Sequence, residues 1–397
     1  MEANGVEERA DDVTALAAGL LDSVNESLGA PMAPVWEAAF RGVPRHTFLP
    51  GTVWVGEDLV ECDREAAPVD WLRHAYADTA VVTQVNDGGT AAPGERWASS
   101  SASAPSIVFR MLDLLDVRPG HRVLEIGTGT GWNAALLAHR LGPGRVTTVE
   151  VDPALAARAA ARLEDAGLGV RTVRGDGARG AGAEGPYDRT VATCSVRSVP
   201  PAWIAGTRPG GLVLVPWESP WLCYGLLRLT VDGYGGASGS FSPYSAFMLM
   251  RGQRTDLRIY RDVVRDHHVP QESATRLAPG AVAGGDWAAQ FAIGLQLPGV
   301  WRTWHENPDV KGVASRLWLA TTDAASWAAV DLDGRTTDRF TVWEHGPRRL
   351  WASVEAAHGW WRESGRPGPE RFGLTIAPDG THTPWLDTPD NPVPVRG

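Results

Sequence analysis

Hydrophobic and polar positions follow two different patterns along this chain. Apolar residues recur at helical spacing in residues 13–28 and 34–40, which predicts two helices. From residue 123 onward, short apolar runs alternate with longer helical segments. The predicted elements are strands at 123–126, 146–149, 170–173, 187–194 and 212–216, with helices at 134–141 and 153–166. This alternation predicts an α/β fold, a doubly wound parallel sheet with helices on both faces.

Two other stretches have weaker patterns. Residues 77–104 lack periodicity and are rich in Gly, Ser, Ala and Thr, which predicts a long loop before a helix at 107–115. Such loops are uncommon unless they are functional or disordered. Arginines also recur at three- and four-residue spacing at positions 251, 254, 258, 261 and 265. On a helix they would form one stripe, which is either a solvated face or a docking site for an acidic peptide.

The first predicted strand of the α/β region runs into a glycine-rich turn, Glu125-Ile-Gly-Thr-Gly-Thr-Gly131. Three glycines permit a tight turn that brings backbone amides close to a ligand at the N-terminus of the next helix. Such a turn serves either a dinucleotide or S-adenosylmethionine. From Gly129 the spacing also fits the G-x-G-x-x-A pattern, so the glycines alone do not decide between the two cofactors.

Acidic residues after the next two strands narrow the choice. Glu150 ends the second strand, where both cofactor classes place a carboxylate on a ribose diol. Asp176 follows the third strand, where a carboxylate can meet the exocyclic amine of adenine. Together with Glu125 these acids form the class I methyltransferase pattern, although the glycines could also be turn residues only. The predicted cofactor-binding residues are Glu125, Gly127, Thr128, Gly129, Gly131, Asn133, Glu150, Val151, Asp176 and Gly177.

Composition excludes several classes of protein. The 397 residues are 43% hydrophobic, yet no apolar run reaches the roughly 18 residues of a membrane span, and the N-terminus lacks a basic signal region. Three well-separated cysteines favour a reduced cytoplasmic protein. A net charge of −10 argues against nucleic acid as the partner. The histidines lack the paired spacing of metal ligands, so no metal site is predicted.

Several flanking segments resemble protein L-isoaspartyl (D-aspartyl) O-methyltransferases. They are Val43-Pro-Arg-His-Thr-Phe-Leu-Pro50, Ala75-Tyr-Ala-Asp78, Ser103-Ala-Pro105, and residues 175–177, 188–201 and 209–211. The resemblance spans residues 35–230 and implies S-adenosylmethionine as cofactor, with S-adenosylhomocysteine as product. In that family the serine of an Ile-Ser-x-Pro segment lies against the methyl-transfer site. Ser103 matches it and is the predicted catalytic residue; alternatively, Ser103 caps the following helix.

The chain departs from that family where substrate is expected. Ser99-Ser-Ser-Ala102 replaces the usual Gly-Gln-Thr-Ile lead-in, and Arg197 stands where the family usually has Pro. The predicted substrate-binding residues are therefore Ser101, Ser195, Val196 and Arg197. The cofactor-facing segments, in contrast, keep the family pattern.

A C-terminal region extends beyond the resemblance. We predict a helical segment at 1–75, a methyltransferase core at 76–235 and an extension at 236–397. The whole is similar to actinobacterial variants encoded beside ribosomally made peptides, such as lanthipeptides and graspetides. That similarity implies esterification of an aspartate in a cyclised precursor peptide, with the ester closing to an aspartimide or giving isoaspartate. Twelve of the 18 Trp residues lie from Trp217 onward and belong either to a peptide-binding surface or to the core of an added domain.

Three alternatives to this function stay open on the sequence. The first is a repair methyltransferase for isoaspartyl residues in damaged proteins. The second is a non-catalytic adaptor that binds a modified peptide, and the third is a nicotinamide oxidoreductase. The sequence favours a monomer whose partner is a peptide, without nucleic acid or membrane.

Overall fold

The computed structural model describes residues 2–90, 96–243, 245–336 and 338–396, with backbone only for 2–11 and 183. The chain divides into two compact units. The first comprises residues 1–194, 199–215 and 228–235; the second comprises 195–198, 216–227 and 236–397. The chain changes unit after residues 194, 198, 215, 227 and 235.

The first unit contains seven helices and most of nine strands among its described residues. The helices are α1 (Glu2–Leu28), α2 (Pro34–Gly42), α3 (Pro68–Ala75), α4 (Pro105–Leu115), α5 (Trp132–Leu141), α6 (Pro153–Asp165) and α7 (Pro201–Ala205). The strands are β1 (Thr52–Val55), β2 (Val60–Asp63), β3 (Val81–Val85), β4 (Ala98–Ala102), β5 (Val123–Ile126), β6 (Val146–Glu150), β7 (Arg171–Arg174), β8 (Tyr187–Ala192) and β9 (Thr207–Glu218).

A parallel sheet forms the centre of the first unit. Strand β5 pairs with β6 on one side and β8 on the other, while β7 and β9 extend the two edges. All four residues of β5 are buried, as expected for a strand covered on both faces. The predicted doubly wound α/β fold is confirmed. Chain connections diverge on either side of β5, and ligands bind at the carboxyl ends of the strands at such a point.

The predicted long loop at 77–104 is wrong in its main feature. Residues 81–85 and 98–102 are strands β3 and β4, which belong to a small antiparallel sheet of order β2-β1-β3-β4. Within the predicted loop, residues 91–95 lie outside the described residues. Strand β4 has the sequence Ala-Ser-Ser-Ser-Ala, whose intrinsic preference for a strand is low, so its conformation depends on pairing with β3.

The second unit is built on antiparallel strands. Its elements are β10 (Cys223–Val231, shared with the first unit), β11 (Ala237–Ser242), β12 (Gln271–Thr275), α8 (Gly280–Ala283), α9 (Trp287–Gln296), β13 (Val300–Glu306), β14 (Ser315–Thr321), β15 (Trp327–Leu332), β16 (Phe340–His345), α10 (Leu350–Glu363), β17 (Phe372–Ile376) and β18 (His382–Leu386). Five strands form a sheet of order β12-β16-β15-β14-β13, and β17 pairs with both β11 and β18.

The predicted arginine stripe does not form, because residues 251–265 do not make one helix. A short 3-10 turn covers Arg251–Gln253, a single π-helical turn covers Ile259–Val263, and extended backbone separates them. The Asp262 carboxylate accepts a hydrogen bond from the Arg258 amide, which closes the π turn locally.

Within the described residues, no helix is both long and apolar enough to cross a membrane.

Candidate active site

The glycine turn after β5 adopts a backbone that requires glycine. Gly127, Gly129 and Gly131 have φ angles of +96°, +56° and +91°, in the region that side chains disfavour. A Cβ atom at Gly127 would lie 2.7 Å from the Thr193 hydroxyl. Gly131 directly precedes α5, so the turn leads into a helix N-terminus whose amides favour electronegative ligand atoms.

Glu150 at the end of β6 is tied to this turn. Its side chain is buried, and its two oxygens accept hydrogen bonds from the amides of Gly129 at 2.9 Å and Asp152 at 3.0 Å. The next residue, Val151, is 45% exposed, which is unusual for a valine beside a buried acid. Glu150, which is predicted to bind the ribose of the cofactor, is thus followed directly by the accessible apolar side chain of Val151 at the carboxyl end of β6.

Glu125 lies behind the turn in a closed polar network. Its carboxylate is fully buried and accepts hydrogen bonds from Asn133 Nδ2 at 2.7 Å and Thr148 Oγ1 at 2.5 Å. Thr148 Oγ1 also lies 2.6 Å from Thr128 Oγ1. Burial raises the pKa of Glu125 to about 7, against the opposing effect of the two hydrogen bonds. In this arrangement Glu125 holds the turn and the start of α5 together.

Asp176 and Gly177 follow β7 as predicted. Asp176 is exposed, and its carboxylate accepts a hydrogen bond from the Ala178 amide at 3.0 Å. The Gly175 amide donates to the Glu150 carbonyl, which brings the ends of β6 and β7 together. The three predicted acids therefore lie at the carboxyl end of adjacent parallel strands. Their contact with a cofactor stays a prediction.

Strand β4 passes close to the glycine turn and ends at Ala102, directly before Ser103. A Cβ at Gly129 would lie 3.8 Å from both Ser100 Oγ and the Ser101 carbonyl. Gln84 fixes this approach, since it accepts from Ser99 Oγ and donates to the Asp152 carboxylate, each at 3.0 Å. The structure thus brings Ser101 to the cofactor turn, and Ser103 follows two residues later.

Ser103 does not cap the helix that follows it. The residue before α4 is Ala104, and no side chain caps that helix. Ser103 is half-buried, and its hydroxyl makes no hydrogen bond to any residue the structure describes. That hydroxyl is therefore available to a ligand, as the predicted role requires.

Arg45 is a residue of this region that sequence reasoning missed. Its buried guanidinium donates to the carbonyls of Ala75, Ala77, Thr79, Ala102 and Ser103. Burial lowers the pKa of Arg45 to about 10, with the Asp78 carboxylate opposing the shift, so the group stays charged at neutral pH. Arg45 fixes the end of β4 and thereby the position of Ser103. Arg45 lies within residues 43–50, a segment that resembles the methyltransferase family, and this resemblance could have pointed to it.

The other predicted substrate residues belong to the second unit. Ser195 and Val196 are completely buried, and Ser195 Oγ donates to Glu218 Oε2 at 2.6 Å and to the Phe247 carbonyl. Arg197 is partly exposed, with its guanidinium 3.3 Å from Glu218 Oε1. Of these three side chains only that of Arg197 is accessible to a substrate. Ser195 and Val196 instead shape the segment that presents it, and their predicted contacts are untested.

Metal chemistry finds no support in this arrangement. No group of three or more potential ligands among His, Cys, Asp and Glu occurs in the described part of the chain. The arrangement offers an acid at the end of each of three adjacent strands, a glycine turn with positive φ angles, and a free serine hydroxyl just after β4, the strand that passes close to the turn. This fold and site define the class of S-adenosylmethionine-dependent class I methyltransferases.

Comparison with known proteins identifies the family within that class. Residues 52–221 match the model of the protein-L-isoaspartate(D-aspartate) O-methyltransferase (PCMT) family. The protein-L-isoaspartate O-methyltransferase of Ignicoccus hospitalis is 36% identical over 167 residues, which cover 41% of this chain and 73% of that protein. The corresponding protein of Methanopyrus kandleri is 37% identical over 177 residues, covering 44% and 65%. The chain belongs to the PCMT family.

A solved structure extends the likeness of fold beyond the matched residues. A protein-L-isoaspartate O-methyltransferase aligns with a TM-score of 0.54 at 20% identity, covering 94% of this chain and all of the other. The protein is an S-adenosylmethionine-dependent O-methyltransferase, which confirms the predicted enzyme class and cofactor and excludes the nicotinamide alternative.

Proposed function

We propose that this enzyme esterifies a carboxylate of an aspartate-derived residue in a peptide or protein, and that an isoaspartyl residue is its first substrate. The observation that carries the proposal is the free hydroxyl of Ser103, a residue that directly follows β4 near the glycine turn and whose carbonyl accepts a hydrogen bond from Arg45. Support for the isoaspartyl substrate comes from relatives named for it that share more than a third of the aligned residues. This is the repair alternative of the sequence analysis.

The chemistry needs orientation rather than a base. A carboxylate with a pKa near ~3.9 is already ionised at neutral pH. Bound S-adenosylmethionine would supply a sulfonium methyl group to one carboxylate oxygen, and the electron pair of the broken carbon–sulfur bond would stay on the sulfur of S-adenosylhomocysteine. No proton is transferred. Ser103 donates a hydrogen bond to the second oxygen and aligns the first with the methyl group, which is catalysis by proximity and orientation.

A second candidate is an ordinary aspartate in a cyclised, ribosomally made precursor peptide. Two observations favour it: the second unit continues far beyond the matched residues 52–221, and Arg197 gives the segment 195–198 an accessible cation. The next backbone nitrogen would then attack the carbonyl of the methyl ester, losing its proton and displacing methanol, to close an aspartimide that hydrolyses to aspartate and isoaspartate. A ring that is already installed reduces the entropy lost on binding, about 1–2 kcal/mol for each residue that is ordered.

One peptide sequence in three forms separates these candidates. The forms are linear with aspartate, linear with isoaspartate, and cyclised with aspartate, and release of S-adenosylhomocysteine gives kcat/KM for each. Under the first candidate the linear isoaspartyl form is methylated far faster than either aspartyl form. A cyclised aspartyl form that exceeds its linear counterpart tenfold or more, about 1.4 kcal/mol, would establish the second.

We further propose that the protein acts in the cytoplasm as a monomer. All three cysteines (Cys62, Cys194 and Cys223) are free, as expected for a chain kept reduced. Sedimentation of the purified protein tests the monomer, and localisation of a tagged chain tests the compartment.

A further inference from the structure

One face of the five-stranded sheet in the second unit is lined with tryptophan. Side chains alternate between the two faces of a strand, and directly paired residues share a face. The pairs Trp318↔Ala329, Ala320↔Trp327, Ala329↔Trp343 and Trp301↔Ala320 place four indoles on one face with alanines between them. The opposite face carries aliphatic residues that are fully buried, among them Leu317, Leu319 and Val330. Both faces are thus apolar.

The tryptophan face is only partly covered. The π-turn segment packs over it through Ile259 and Val263, beside Trp318 and Trp327. Next to this cover lies an open cavity of about 500 Å³, within the range of pockets that hold small ligands. Its walls include Tyr260, Arg265, His268, His305, Trp318 and Trp327. Tyr260 is 56% exposed, so its ring forms the accessible edge of the cavity.

Ring contacts fix the walls of this cavity in place. Tyr260 meets Trp318 edge to face at 5.6 Å between ring centres, and its hydroxyl lies 3.0 Å from His305 Nδ1. Trp327 Nε1 donates to His268 Nδ1 at 3.0 Å, which leaves the proton of His268 on Nε2. These rings are therefore held before any ligand arrives, and a preorganised wall loses little entropy on binding.

The polar groups of the cavity suit a main chain. Arg265 donates to the carbonyls of Arg261 and Asp262, and its charge acts on the nearby Asp262 carboxylate without a direct ion pair among the described residues. Arg316, in contrast, is matched by Asp331 in a two-point ion pair. Asp309 adds one exposed carboxylate to the lining, so the cavity has no strong excess of either charge. Aromatic walls with a few donors and balanced charge favour an aromatic side chain with its attached peptide groups.

We propose that this cavity binds an aromatic residue of the peptide substrate at a position other than the methylated one. The inference rests on the proposed function only in taking a peptide as the substrate. The aromatic ring packs against the exposed ring of Tyr260 at the open edge of the cavity, and Arg265 donates to the peptide carbonyls beside it. The second unit thereby adds affinity for particular peptides without taking part in methyl transfer.

The test compares two extended peptides on the full-length enzyme. Both carry the same methyl-accepting residue; one extension contains a tyrosine, and the other has serine in its place. We expect the tyrosine peptide to have a KM about fivefold lower, the size of one aromatic pair, with the same kcat. Tyr260→Ala should remove this difference and leave the KM of the short acceptor without an extension unchanged. Equal KM values for the two extensions on the wild type would overturn the proposal.

A control and a binding measurement make the outcome specific. Tyr234→Ala removes an 88% exposed tyrosine of the first unit and should preserve the fivefold difference in KM between the two peptides. If that difference also disappears in Tyr234→Ala, the proposal is overturned. Titration calorimetry with the tyrosine peptide lacking an acceptor residue measures the cavity alone. Binding that is lost in Tyr260→Ala supports the cavity even if no peptide is methylated. Methylation without any dependence on tyrosine contradicts the cavity and leaves the proposed function standing.

Discussion

Buried charged groups organise the first unit, whereas aromatic rings organise the second. In the first, Arg45 donates to the Ser103 carbonyl, Glu150 accepts from the Gly129 amide, and Glu125 accepts from the side chains of Asn133 and Thr148 behind the glycine turn. In the second, Phe291 packs against Trp217, Phe241 and Phe372 at distances of 5.1 to 5.8 Å between ring centres. Tryptophans also line one face of the five-stranded sheet β12-β16-β15-β14-β13.

The difference reflects what each kind of contact can fix. A hydrogen bond to a buried charge is directional and costly to break, so it holds a turn in one geometry. Ring packing contributes mainly through apolar area and tolerates substitution of one large residue by another. The first unit is therefore suited to a constant cofactor, and the second, under the peptide-binding proposal above, to a peptide that can vary. Three substitutions test this contrast.

The largest effect is expected for Glu125, as a change in stability with pH. Burial raises its folded pKa from 4.5 to about 7, so the folded protein binds a proton that the unfolded chain releases in this range. Its contribution to the free energy of unfolding is complete below pH 4.5 and is lost as the pH rises through 7, about 3 kcal/mol in all. Denaturant titrations from pH 5 to pH 8 should show this loss in the wild type.

Glu125→Gln should flatten that pH dependence, because the side chain can no longer ionise. Glu344 provides the matched control: it is a buried acid of the second unit that accepts a hydrogen bond from the Trp351 amide. Glu344→Gln should keep the pH dependence of the wild type. If both variants retain it equally, the buried network at Glu125 is not its source.

The next effect is the loss of cofactor affinity in Glu150→Ala. The substitution removes both the predicted ribose contact and the acceptor for the Gly129 amide. Calorimetry should show S-adenosylmethionine binding weakened by roughly 1.5–3 kcal/mol, as for charge-assisted hydrogen bonds. Glu344→Ala should leave the affinity unchanged. An unaltered affinity in Glu150→Ala would place the cofactor elsewhere.

The smallest effect is expected for Ser103→Ala, which should lower kcat about tenfold with cofactor affinity nearly intact. A hydroxyl that orients the reacting carboxylate contributes in the transition state, not to cofactor binding. Ser106→Ala, three residues further along in α4, should retain the kcat of the wild type. Parallel losses of kcat and cofactor affinity in Ser103→Ala would point to a structural role.

The predicted cofactor-binding residues could be located from the sequence because their positions depend on neighbouring residues in the chain. Gly127 to Gly131 follow β5 without interruption, and each acid lies within two residues of the carboxyl end of its own strand, so spacing alone places them at one edge of the sheet. Strand β4 was missed because Ala-Ser-Ser-Ser-Ala has no intrinsic preference for a strand. The arginine spacing misled for the opposite reason: a periodic pattern was present, yet local contacts of Asp262 closed a single turn there.

By itself, the sequence determined the α/β fold, the glycine turn and the acids that follow the strands, since periodicity and turn chemistry depend on neighbouring residues. Only the tertiary structure decided that Arg45 supports Ser103, whose carbonyl lies 58 positions along the chain, and that Ser195 and Val196 are buried. It also decided which tryptophans share a face, because that depends on the register of β13 to β16. Register and burial are set by packing between distant segments, and no local pattern encodes them.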